Sequence, residues 1–210
     1  MKRPASKSNP WEDHYTRKAR KENYPARSVY KLEEIQEKFH ILKNGHRVLD
    51  LGCAPGAWAL LAIRYVGKSG EVVGLDLKPV TVQLPENAKT HICDVFSRDE
   101  TVERVVGERN FDVVLSDMAP STTGSTGVDA QRSMVLCEAA LEIAMRVLKP
   151  GGDFVCKIFQ GPDFQTFISL IKQTFLRYKI FKPQSSRQAS REIFIVGFGK
   201  KPGGTDVRAQ

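Results

Sequence analysis

The chain has 210 residues, 41% hydrophobic and 27% charged, with four cysteines, four histidines and a formal net charge of +8. That length fills one sizeable domain and is short for two. No apolar run approaches the roughly 20 residues of a membrane helix, and the start lacks a signal-peptide segment, so a soluble, cytoplasmic protein is expected. Cys53, Cys93, Cys137 and Cys156 are scattered, with no Cys-x-x-Cys pair and no histidine at ligand spacing, so neither a disulfide scaffold nor a metal site is expected. Charge is unevenly distributed. Residues 1–47 carry 12 basic and 6 acidic side chains, residues 48–169 carry 11 and 16, and residues 170–210 carry 9 and 2, or +6, −5 and +7. Basic ends supply the counterion-release term of nucleic-acid binding, and an acidic middle suits a cationic small molecule. An ordinary solvated surface of a basic protein gives the same totals.

In chain order, residues 1–24 combine Pro4, Pro10, Ser6, Ser8 and the basic cluster Arg17 to Lys21 with little apolar periodicity, and read as an extended arm outside any core. Residues 25–199 follow as one domain. Val29, Leu32, Ile35, Phe39 and Leu42 recur every three or four positions, predicting an amphipathic helix with Ser28 as N-cap and Asn44-Gly45 as the stop. Strands are then expected at 47–51, 71–76, 90–94, 111–116 and 153–159, and helices at 57–66, from Asp129 to Leu148, and around Phe164 to Phe175. The chain closes with strands at 178–181 and 191–198, and a tail at 200–210. Strands alternating with helices predict an α/β fold with a Rossmann-like, mostly parallel sheet, helices on both faces and an antiparallel C-terminal edge.

In such a sheet ligands sit at the carboxyl ends of the strands. The first strand runs into Asp50-Leu-Gly-Cys-Ala-Pro-Gly-Ala-Trp58, where Gly52 and Gly56 permit close backbone approach before a helix start. The third glycine of a dinucleotide fingerprint is missing and Pro55 removes a donor, which disfavours a pyrophosphate cradle. Asp76, 20 residues past Gly56, stands where a carboxylate accepts from both ribose hydroxyls of an adenosine, and Asp94 where one meets an adenine amine. With Asp50 and Asp117 they make a run of strand-end acids, suited to a ligand bearing a sulfonium and an ammonium. Each acid alone reads equally as a cap or turn residue. The ordered set resembles the class I S-adenosylmethionine-dependent methyltransferases.

After the fourth strand the chain has Ser116-Asp-Met-Ala-Pro120 rather than the Asn/Asp-Pro-Pro-aromatic motif usual for methylation of base amines. Together, Arg27 to Gln36, Asp50 to Trp58, Asp117-Met-Ala-Pro120, Cys156-Lys-Ile-Phe-Gln-Gly161 and Ser190-Arg-Glu192 are similar to the FtsJ-type ribose 2′-O-methyltransferases over about residues 10–200. The resemblance implies a catalytic tetrad of Lys31, Asp117, Lys157 and Glu192, and a cofactor site for S-adenosyl-L-methionine at Gly52, Pro55, Gly56, Trp58, Asp76, Asp94 and Asp117, with no metal. It also implies a monomer acting on a uridine ribose of ribosomal RNA in the large subunit.

The residues themselves leave alternatives open. Lys157 ends an apolar strand, where a charge is costly unless paired or functional, though a lysine there can also snorkel to water. Lys31 borders the buried stripe of its helix, about 20° beyond Leu42 at about 100° per residue, as an ordinary flanking lysine would. Glu192 reads equally as a surface carboxylate. A small-molecule O-methyltransferase explains the cofactor loop but not the basic ends, and a non-catalytic ribosome-assembly factor on the same fold explains the ends.

Overall fold

The computed structural model describes residues 13–97, 110–187 and 189–202, with positions 102, 105 and 107 in addition. The first 12 residues of the expected arm and positions 203–210 of the expected tail lie outside them. Four apolar runs form the centre: β1 (Arg47–Leu51), β2 (Glu71–Asp76), β4 (Phe111–Ser116) and β5 (Leu148–Phe159). Such runs need cover on both faces. With the more exposed β3 (Ala88–Ile92) and the C-terminal β6 (Phe175–Phe181) and β7 (Glu192–Lys200), they build one sheet ordered β3-β2-β1-β4-β5-β7-β6. The first five are parallel, while β7 runs antiparallel between β5 and β6. The antiparallel edge matches expectation. Strand order reverses between β1 and β4, so a crevice opens beyond their carboxyl ends.

Alternation along the strands divides the core in two. Val48, Leu115, Val155 and Phe194 face α2 (Val29–Phe39) and α3 (Ala57–Val66). Leu49, Val114, Phe154 and Cys156 face α4 (Thr126–Val147) and α5 (Phe164–Thr174). All four cysteines are buried as thiols, with no disulfide among the described residues. Among the described residues no helix is long and apolar enough to cross a membrane, and no three His, Cys, Asp or Glu side chains cluster as around a metal ion.

The structure corrects several expectations. Residues 13–24 are not an extended segment outside the core: α1 (His14–Lys21) starts at Asp13, whose carboxylate accepts the Thr16 N–H at 2.9 Å, and Ala19 and Tyr24 are buried against α2 and α3. One short turn of apolar contact carries too little periodicity to reveal such a helix. Helix α2 ends at Phe39, where His40 takes a left-handed conformation (φ 52°). Leu42 is buried nonetheless, because the Gln36 side chain binds its N–H and C=O at 2.8 and 2.9 Å in place of helical partners. Helix α4 begins at Thr126 rather than at Asp129, whose carboxylate instead accepts the Thr123 N–H and hydroxyl at 2.8 and 2.9 Å and ties down the preceding loop. Strands β5 and β6 start earlier than expected, at Leu148 and Phe175.

Phe154 is fully buried and stacked on Phe175 with ring centroids 5.8 Å apart. Phe154→Ala is expected to lower stability by about 3–5 kcal/mol, read as a shifted urea midpoint at unchanged slope.

Candidate active site

The loop after β1 is held from below. Gly52 and Cys53 donate to the Leu75 carbonyl at 2.8 and 3.2 Å. Gly52 (φ 79°) has no room for a side chain, because a Cβ would come within 2.8 Å of Met118 Cγ. Gly56 (φ 112°) would meet Val82 and Val80 at 2.7 and 2.8 Å. Pro55 lies between them, after a cis Ala54–Pro55 bond. Asp76, at the end of β2, accepts the Ala54 N–H at 2.9 Å on one oxygen and the Lys78 N–H at 2.8 Å on the other. Each oxygen keeps a second lone pair, enough for a diol. Asp94 is exposed just past β3, with one oxygen on the Phe96 N–H at 2.9 Å.

Trp58 stands apart from the other residues expected to bind cofactor. Its indole is buried 5.9 Å from the Phe194 ring and donates to the Ser28 carbonyl at 2.8 Å, so the side chain pins α3 to the start of α2. What it can offer a ligand is the backbone N–H in the first turn of α3.

Asp50, expected among the strand-end acids that suit a cationic ligand though not named with the individual cofactor residues, is fully buried with neither carboxylate oxygen hydrogen-bonded among the described residues. Burial, and then the charges of Asp117 and Asp76, push its pKa up to about 8. A buried carboxyl without a partner, beside a loop too tight for side chains, fits a cofactor that brings a cation and polar edges. The signal in the sequence was an acid inside an otherwise apolar strand.

A second group of charges lies at the carboxyl end of β5. Lys157 Nζ sits 2.9 Å from Asp117 Oδ1 and donates to the Asp117 carbonyl at 2.5 Å. Lys31 Nζ lies 2.7 Å from Glu192 Oε1 and 5.9 Å from the centre of the Phe194 ring. Lys157 pairs with Phe194 and Phe159 with Glu192 across the antiparallel ladder, so Lys157 and Glu192 are diagonal neighbours on one sheet face. Lys31, Lys157 and Glu192 are 9%, 6% and 8% exposed, and Asp117 is half-buried. Burial pushes the Glu192 pKa up, but Lys31, the Ser186 hydroxyl and Lys157 outweigh it and hold the pKa below the ordinary value. The four side chains expected together thus come together, from α2, the loop after β4, β5 and β7. Two buried cations facing two carboxylates offer a polar centre beside the carboxyl ends of β1 and β4.

A sheet in this order, with a glycine loop after β1 and acids at the strand ends, defines the class I methyltransferase fold. The family model for FtsJ-like methyltransferases matches residues 24–200, and the chain belongs to that family. It is 55% identical to the ribosomal RNA large subunit methyltransferase E of Desulforapulum autotrophicum, over 95% of this chain and 98% of that protein. It is 54% identical to the protein of the same name from Desulfatibacillum aliphaticivorans, over 99% and 100%. A Plasmodium falciparum crystal structure, described provisionally as a ribosomal RNA methyltransferase, shares the fold with a TM-score of 0.70 at 24% identity, covering 84% of this chain and 98% of that one.

Asp50 yields a pH test on the protein without cofactor. Its folded pKa, about 8, lies above the reference value of 3.8. The native state therefore holds the extra proton, and stability present below the unfolded pKa is lost as pH rises toward 8, by at most about 1.4 kcal/mol per pH unit. Asp50→Asn should flatten that slope between pH 5 and 8 in denaturant titrations. Equal slopes in both proteins would show that Asp50 does not titrate as described.

Proposed function

We propose that the protein transfers the methyl group of S-adenosyl-L-methionine to the 2′-hydroxyl of a ribose, that of a uridine, in large-subunit ribosomal RNA. Action in the cytoplasm, on the large ribosomal subunit and as a monomer belongs to the same proposal. The observation that carries it is the convergence of Lys31, Asp117, Lys157 and Glu192 as two close ion pairs beside the glycine loop. The named relatives, ribosomal RNA methyltransferases at 54–55% identity over nearly the whole chain, support the substrate class.

The cofactor would be held by the Gly52 and Gly56 backbone, by Asp76 on the ribose hydroxyls, by Asp94 at the adenine amine and by Asp50 toward the ammonium, with Pro55, Trp58 and Asp117 around it. It supplies an electrophilic methyl group on a sulfonium. A ribose hydroxyl is a poor nucleophile at neutral pH and needs a group that orients it and takes its proton. Lys157 fills that role through Nζ. Asp117, with both a carboxylate oxygen and its carbonyl on that nitrogen, fixes the direction of Nζ, while Lys31 and Glu192 neutralise one another and hold the acceptor side of the centre. Methyl transfer would be an in-line displacement in which the hydroxyl proton passes to Lys157 Nζ as an uncharged amine, its resting ammonium having first released a proton to solvent.

Lys157→Ala is expected to lower single-turnover methyl transfer by about 100-fold or more, with cofactor and RNA binding near wild type. Lys157→Arg should not rescue it, because guanidinium stays protonated. An active Arg variant would remove Lys157 from the role of base.

The basic N-terminal end supplies a second test. On α1, Arg17, Arg20 and Lys21 are exposed and Lys18 half-exposed. Replacing all four with Gln should weaken RNA binding and flatten its logarithmic salt dependence by up to about 0.9 per lost phosphate contact on duplex, less on single strands. Cofactor affinity should be spared, and an unchanged salt slope would place the RNA elsewhere.

A further inference from the structure

Helix α2 presents three charged side chains at one-turn spacing to the chain between β6 and β7. Arg27, just before the helix, donates to the Ser185 carbonyl and pairs with Asp13. Lys31 takes Glu192, the first residue of β7. Glu34 spreads its two carboxylate oxygens over consecutive backbone N–H groups, Gln184 at 2.6 Å and Ser185 at 2.8 Å. Residues 27, 31 and 34 lie on one helix face, so a single rigid element grips the link at both sides of the Lys31–Glu192 pair.

The gripped segment is polar yet pressed inward: Ser185 is 0% and Ser186 7% exposed. At its far end the Ser190 hydroxyl accepts the Glu192 N–H at 3.2 Å, so the link runs directly into Glu192. Hydrogen bonds to an ionised carboxylate are among the stronger ones, and two from adjacent amides fix a peptide plane as well as a distance.

We infer that Glu34 is a positioning residue for methyl transfer: with Arg27 it fixes the link between β6 and β7, and so the start of β7, such that Glu192 stays against Lys31. The inference rests on the tetrad reading above. Among the described residues Glu34 makes no ion pair or hydrogen bond with a tetrad side chain, and acts through the backbone of residues 184 and 185. Glutamine there has the same size but one acceptor oxygen, so its amide group faces a backbone N–H and the grip is lost. Aspartate keeps both acceptors on a shorter stem.

Loss of the grip has a pH signature. Glu192 is faced by Lys31 from α2, Lys157 from β5, Ser186 from the link and, further off, Arg27, which Arg187 opposes. If the link is released and the start of β7 shifts from α2, Glu192 moves away from Lys31 Nζ, now 2.7 Å off, loses the cation that most favours its ionised form and protonates at higher pH. The acid limb of the rate profile then moves upward.

The experiment compares wild type, Glu34→Gln, Glu34→Asp and Glu192→Gln as full chains, with saturating RNA and with S-adenosyl-L-methionine varied through its KM, and follows hydrogen exchange on residues 184–187. For Glu34→Gln, kcat is expected to fall tenfold or more with the KM for cofactor unchanged, the acid limb to move upward and the link amides to exchange faster. Glu34→Asp is expected to recover most of each. Faster exchange with wild-type kcat and acid limb overturns the inference, and so does a lower kcat with unchanged exchange. Glu192→Gln separates the two levels: if it leaves methyl transfer intact, the tetrad reading fails and the inference with it. If it abolishes transfer while Glu34→Gln does not, only the grip is refuted.

Discussion

Charges withdrawn from water must be paired, and that requirement organises one end of this protein. Lys31, Lys157 and Glu192 are each at most 9% exposed, and an isolated charge at such depth costs several kcal/mol. Each lysine has a carboxylate within 3 Å. Because the partners come from α2, the loop after β4, β5 and β7, the pairs form only when the sheet is closed in its native order. β7 must lie antiparallel beside β5 for Glu192 to reach the diagonal position beside Lys157, and α2 must cross that strand for Lys31 to meet Glu192.

Asp50 obeys the same rule in the opposite way. It is buried without a partner, and its protonation replaces the missing cation. The crevice thus has two electrostatic characters side by side: a compensated group of four charges toward β5 and β7, and, toward β1, an acid kept neutral by its own proton. A cation brought to the second would release that proton, whereas the first is neutral through its own pairs. Under the proposed chemistry this division suits a cationic methyl donor on one side and an uncharged hydroxyl on the other.

Much of this was legible in the sequence because period and punctuation agreed. Apolar runs at 47–51, 71–76 and 111–116 became strands with the expected bounds, and the alternation with helices gave the parallel sheet. The four tetrad positions could be named through motif resemblance, since Lys31 and Glu192 are 161 positions apart and spacing alone could not join them. Other features had no local signature. Helix α1 buries too few residues to show a period, Gln36 replaces helical bonds to Leu42 by a side chain that reads as surface polarity, and Glu34 looks like any helix carboxylate. The place of Trp58 beside the glycine loop was legible, whereas the packing of its ring on Phe194 and its bond to the Ser28 carbonyl were not. In each case the deciding partner is remote in the chain or on another element.

The indole of Trp58 has a mechanical consequence. Its backbone begins the helix that follows the glycine loop, and its Nε1 grips the Ser28 carbonyl at the entrance to the helix that carries Lys31. Loop and lysine are therefore joined by one stiff aromatic strut rather than by a flexible surface connection. A displacement of the loop by a few tenths of an ångström cannot be absorbed locally in a close-packed interior, and is passed on to the helix across the crevice. Such a strut ties the place of the glycine loop to the place of Lys31.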